Sequence, residues 1–114
     1  MGAVKVKEIN LERGNPDSAT AVSNMVNGLY TAKGAGYKAV ILIHGYGSSG
    51  SGGAIKVAVK EKLKERSLSG IIRDFTGGED WINVKRLFME TCPQLKDFSQ
   101  YVESNRGLTV VLLK

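Results

Sequence analysis

The single histidine of this chain, His44, runs straight into a glycine-serine stretch, Gly45-Tyr46-Gly47-Ser48-Ser49-Gly50. An imidazole titrates near neutrality, so in such a place it can serve as a general acid or base, or hold a phosphate when protonated. Glycines let backbone N–H groups approach an anion with no side chain in the way. Downstream, Lys56, Lys60 and Lys64 recur every fourth residue. On a helix that spacing stacks three ammonium groups about 6 Å apart along the axis, a ridge matched to a run of phosphates. Each like-charged pair costs a few tenths of a kcal/mol, which a polyanion would relieve. A solvated face balanced by Glu61 and Glu65 is the other use of the same pattern.

Other chemistries fit less well. Gly45 to Gly50 formally matches the dinucleotide pattern G-x-G-x-x-G, with Asp74 as the ribose ligand to test. Against it, the strand before the motif is the second rather than the first, the loop continues past Gly50, and little chain is left to cover a dinucleotide. The loop lacks the Gly-Lys-Ser/Thr ending of a triphosphate-binding loop, and no G-x-S-x-G elbow occurs. Cys92, the one cysteine, cannot form an internal disulfide and reads as a small buried residue. Trp81 reads as an anchor onto the core. No metal site is assigned, and the cofactor is unknown.

The elements that must position these residues follow from hydrophobic periodicity. At 114 residues, the chain fits a single domain, 1–114, long enough to bury roughly two-thirds of its unfolded surface. Ala39 to Ile43 is a continuous apolar run, the mark of a strand buried on both faces, and it delivers His44 at its carboxyl end. Before it, alternation predicts a strand from about Ala3 to Leu11 with a slip or bulge. A helix then starts at Asn15-Pro16, with Asn15 as N-cap, carries Val22, Met25, Val26 and Leu29 on one face, and stops at Gly34. After the loop a second helix, about Ala54 to Arg66, buries Ile55, Val59 and Leu63 beside the lysine ridge. Ile71 to Phe75 is a short strand ended by Gly77-Gly78. A helical insert of about 79–104 follows: Glu79-Asp80 caps a helix with Trp81, Val84, Leu87 and Phe88 on one face, and Cys92-Pro93 opens another with Leu95, Phe98 and Val102. Gly107 opens the last strand, Leu108 to Leu113, apolar throughout except Thr109.

The formal net charge is +5, and the excess sits beside the glycine loop: residues 37–75 hold 7 Lys/Arg against 3 Asp/Glu, whereas 76–114 hold 5 against 5. A local basic excess favours polyanions through counterion release. No signal-peptide pattern and no apolar run of about 18 residues occurs, so a soluble, cytoplasmic protein with no membrane partner is expected.

Strand, helix, strand ending His44-Gly45-Tyr46-Gly47, basic helix, strand, and a last strand Gly107-Leu-Thr-Val-Val-Leu-Leu-Lys114 together resemble the Smr (small MutS-related) domain family. Lys56 stands where that family's second helix has a basic residue, with Val59 and Leu63 on its buried face. The resemblance covers most of the chain except about 79–104. It implies an α/β fold, a two-layer sandwich with a four-stranded mixed sheet in the order β-α-β-α-β-(α-α insert)-β. It also implies binding or cleavage of RNA or structured DNA, with the ribosome or repair proteins as further partners. The family's first motif, L-D-x-H-G or its arginine variant, falls on Ile9-Asn10-Leu11-Glu12-Arg13. Here Asn10 replaces the acid and Glu12 the histidine or arginine, so binding is implied more strongly than endonuclease catalysis.

The residues so assigned are His44 and Glu12 for any cleavage. Gly45, Tyr46, Gly47, Gly50, Lys56, Lys60, Lys64, Asn10 and Arg13 are assigned to nucleic-acid binding. Two other classes stay open, a non-enzymatic module docking through the insert and a binder of a small phosphate or nucleotide at the glycine loop.

Overall fold

The apolar run Ala39–Ile43 becomes the strand to which both halves of the chain attach, with Ala39 to Leu42 wholly buried. The computed structural model describes residues 5–45 and 52–114. Its elements are β1 (Val6–Asn10), α1 (Ser18–Gly34), β2 (Ala39–Ile43), α2 (Gly52–Leu63), β3 (Ile72–Gly77), α3 (Trp81–Thr91), α4 (Ser99–Val102) and β4 (Leu108–Leu113). Short 3₁₀ turns occupy Arg66–Leu68, Gly78–Asp80 and Pro93–Phe98.

The four strands form one mixed sheet in the order β1-β2-β4-β3, with β1 parallel to β2 and β4 antiparallel to both its neighbours. As a result β1, β2 and β3 all end at the same edge, where Asn10 pairs with Ile43, Ile43 with Leu108, and Gly77 with Thr109. Parallel β1 and β2 need a crossover, and α1 supplies it.

On one face of the sheet, Met25 and Leu29 of α1 and Ile55, Val59 and Leu63 of α2 pack against Val40, Leu42, Val111 and Leu113. This is the two-layer α/β unit with a four-stranded mixed sheet that the sequence leads one to expect. The insert lies over the opposite face, where Trp81, Phe88, Leu95 and Val102 meet Ile41, Val110 and Leu112. Phe88, Leu95 and Val102 are each at least 99% buried. Side chains of that kind contribute about 1.5–3 kcal/mol apiece, enough to hold the segment down as part of the core.

Several boundaries differ from the sequence expectation for identifiable reasons. No bulge interrupts β1, whose register with β2 is continuous. Its uneven pattern arises because Val6 faces the insert, whereas Ile9 and Leu11 face α1 and α2. Asn15 is not the N-cap of α1. It sits in a left-handed turn with Gly14, and the cap is Asp17, whose carboxylate accepts from Thr20 N at 2.7 Å. Leu63 ends α2, three residues before Arg66. Strand β3 is shifted one to two residues onward and carries a register irregularity between Ile72 and Asp74.

Asp80 stands at the N-cap of α3, as expected, but makes no side-chain cap bond, and Glu79 and Asp80 both belong to the 3₁₀ turn before the helix. The expected second helix of the insert is largely 3₁₀, with only Ser99–Val102 α-helical. Threefold winding brings Leu95 and Phe98 onto one side, towards the sheet. Leu87 lies at the margin of the apolar stripe of α3 and is 56% exposed.

Candidate nucleic-acid interface

The imidazole of His44 is fully buried at the edge where the strands end. Its Nδ1 lies 2.6 Å from the Gly45 carbonyl oxygen, and its Nε2 lies 2.8 Å from Thr109 Oγ. A carbonyl can only accept, so Nδ1 carries the proton, Nε2 accepts, and the Thr109 hydroxyl donates. Burial is the main influence on the ring and holds its pKa below the ordinary histidine value. The Gly45 bond opposes the shift, nearby Lys56 adds to it, and Glu79 and Glu12 oppose it weakly. His44 is therefore neutral at pH 7.

Gly45 has a φ of +71°, and a Cβ there would lie 2.6 Å from Glu12 Oε2. The left-handed backbone favours glycine, and any side chain there would also have to push the Glu12 carboxylate aside. The backbone N–H groups of His44 and Gly45 both donate to the Gly107 carbonyl, at 2.9 and 3.1 Å, stitching the end of β2 to the start of β4. A Cβ on Gly107 would come within 3.2 Å of Gly45 Cα, so this close approach also favours glycine.

After β1 the chain folds over the same edge. Leu11 N donates to Ile43 O at 2.8 Å, and Asn10 Oδ1 accepts from Glu12 N at 2.9 Å, a side-chain turn that aims Glu12 at Gly45. Asn10 and Arg13 themselves line a shallow hollow with Glu8 and Ile43 on the insert side of the sheet. The residues aligned with the first family motif are thus divided: Glu12 sits beside His44, and Asn10 and Arg13 sit across the sheet edge.

The lysine ridge is uneven. Lys56 Nζ lies 2.7 Å from Glu79 Oε2 and donates to the Arg106 carbonyl at 2.9 Å. Burial alone would raise the Glu79 carboxyl, but the Lys56 bond, with Lys60 nearby, outweighs it and holds the pKa below the usual value. Lys60 and Lys64 are exposed along the next two turns. Of the compensating acids considered for this helix, Glu65 pairs with Lys62 rather than with the ridge.

Between α2 and the paired ends of β3 and β4 opens a cleft of about 150 Å³. Phe75, Thr76 and Thr109 form part of its wall, with Lys60, Glu79 and Asp80 around it. Thr109, Glu79 and Arg106 are the site residues that pattern reasoning missed. Only Thr109 left a signal, as the single polar residue in an apolar strand. Tyr46, Gly47 and Gly50 lie outside the described residues. Among the described residues no cluster of three or more His, Cys, Asp or Glu could hold a metal, and no helix is long and apolar enough to cross a membrane. Cys92 is buried, and burial pushes its thiol pKa up.

No family profile and no curated protein matches the chain. Among solved structures it is similar to the crystal structure of the Smr domain of Thermus thermophilus MutS2, at 26% identity and a TM-score of 0.59. The match covers 95% of this chain and 98% of that one, so it runs across the helical segment 79–104. With its mixed four-stranded sheet and the His44-Gly45 turn at the end of β2, the chain has the fold of an Smr domain.

Proposed function

We propose that this Smr domain binds nucleic acid, RNA or structured DNA, at the edge where β1, β2 and β3 end, with slow or no cleavage. The observation that carries the proposal is the row of lysines along α2 beside the cleft at that edge. Lys56 and Lys60 of α2 line the cleft there, and Arg13, in the turn after β1, lies across the sheet edge from them. Lys64 extends the line outward. Cations on rigid elements at one edge can neutralise consecutive phosphates, which releases counterions and drives association. The likeness to the MutS2 Smr domain supports the same reading.

Any hydrolysis would fall to His44 with Glu12. The ring, however, is buried and both its nitrogens are engaged, so it would have to give up Thr109 or Gly45 before it could move a proton on a bound strand. Binding therefore dominates. Trp81, Phe88, Leu95 and Val102 of the insert are buried against the sheet, while Ile82, Leu87 and Tyr101 stay exposed.

The test is a binding panel of single strand, duplex and junction, as RNA and as DNA, at two salt concentrations. The logarithm of affinity should fall linearly with the logarithm of salt, and Lys60→Ala with Lys64→Ala should weaken binding alike across sequences. Salt-independent affinity, or no binding at low salt, would overturn the proposal.

A further inference from the structure

We propose that the cleft beside Thr109 receives one unpaired pyrimidine base of a single-stranded nucleic acid, cytosine ahead of uracil, while Lys60 and Lys64 hold the flanking phosphates. The proposal deepens the nucleic-acid reading above and rests on it.

Size comes first. A cavity of about 150 Å³ accommodates a single six-membered aromatic ring, which matches the volume found here. Sugar and phosphate stay outside, and a pyrimidine, with its single ring, is the closer match. The lining sets two ammonium groups, Lys56 and Lys60, against two carboxylates, Glu79 and Asp80, and Lys56 is already held by Glu79, so the cleft has no net positive charge to draw a phosphate inside. It suits a base, whose apolar face can lie along Phe75 and whose edge carries donors and acceptors. A paired base offers neither its face nor its Watson–Crick edge, so the occupant is splayed from a single strand.

The preference for cytosine follows from the direction of one hydrogen. Because the Gly45 carbonyl fixes the proton on His44 Nδ1, Nε2 must accept, and the Thr109 hydroxyl spends its proton there. Towards the cleft Thr109 then presents only lone pairs. With Lys56 held by Glu79 and Lys60 turned to the flanking phosphate, the Asp80 carboxylate adds to Thr109 a second acceptor, which matches an exocyclic amine. Among pyrimidines only cytosine has one, and carboxylates are its known partners at N4. His44 acts here as a positioning residue for Thr109.

The experiment is fluorescence anisotropy with oligocytidylate, oligouridylate, oligoadenylate and an abasic strand of equal length, each as RNA and as DNA, at one salt concentration. Oligocytidylate should bind at least about tenfold more tightly than the others. Thr109→Val, and separately Asp80→Ala at an exposed position, should shrink the ratio between oligocytidylate and oligouridylate. Equal affinity for all four strands, or a preference for oligoadenylate, would overturn the pocket and leave the nucleic-acid reading intact. An unchanged ratio in both variants would overturn it as well. Failure of every strand to bind at low salt would overturn both.

Discussion

Lys56 Nζ lies 2.7 Å from Glu79 Oε2, so the first lysine of the ridge is held by a residue from the turn that opens the insert. A strand that contacts Lys56 must compete with this carboxylate. Glu79→Gln should therefore tighten binding of a single-stranded polyanion and steepen its salt dependence by about one phosphate contact. Stability should change by no more than about 1 kcal/mol, because the pair is partly exposed. Titration of wild type and variant at several salt concentrations checks this; an unchanged salt slope would show that Lys56 does not reach phosphate.

Thr109 satisfies the only free nitrogen of a wholly buried ring. Thr109→Val keeps the shape of the side chain and leaves His44 Nε2 without a partner, which should cost about 1–3 kcal/mol in urea unfolding. Thr109→Ser retains the hydroxyl and should recover most of that loss.

The depressed pKa of His44 links stability to pH with a definite sign. The unfolded chain takes up a proton near the ordinary value of 6.5, whereas the folded chain resists until a lower pH. Stability should be full above about pH 6.5 and decline as pH falls from there towards the folded-state pKa. Asp17, Glu65 and Glu79, whose carboxyls are also held low, titrate below this window. Urea midpoints between pH 8 and 5 should show the decline in wild type, and His44→Gln should flatten it.

Trp81 is fully buried, its ring meets Phe88 edge-on at 5.8 Å, and its Nε1 donates to Ser99 Oγ at 2.9 Å. Trp81→Ala should cost about 3–5 kcal/mol. Leu87→Ala, on the same helix but 56% exposed, should stay within about 0.5 kcal/mol. Equal effects in chemical denaturation would contradict the way the insert is seated.

Local pattern determined much of this protein. The run Ala39 to Ile43, short, uniformly apolar and bounded by turn signals, read as a strand covered on both sides, and Ile55, Val59 and Leu63 fell at helical spacing on one buried face. The order of elements and the placing of His44 at a strand end followed from those periods. Where two conformations cost nearly the same, tertiary packing chose. Asn15 took a left-handed turn and passed the cap to Asp17, and Pro93–Phe98 wound as 3₁₀ to set Leu95 against the sheet. The site was still less legible. His44 and Thr109 are 65 residues apart, and only the antiparallel pairing of β2 with β4 brings them into contact. Lys56 and Glu79, 23 residues apart, meet only because α2 and the turn after β3 arrive at one sheet edge. Sequence spacing carries the period of an element but not the register between elements, and that register decided which polar groups became partners.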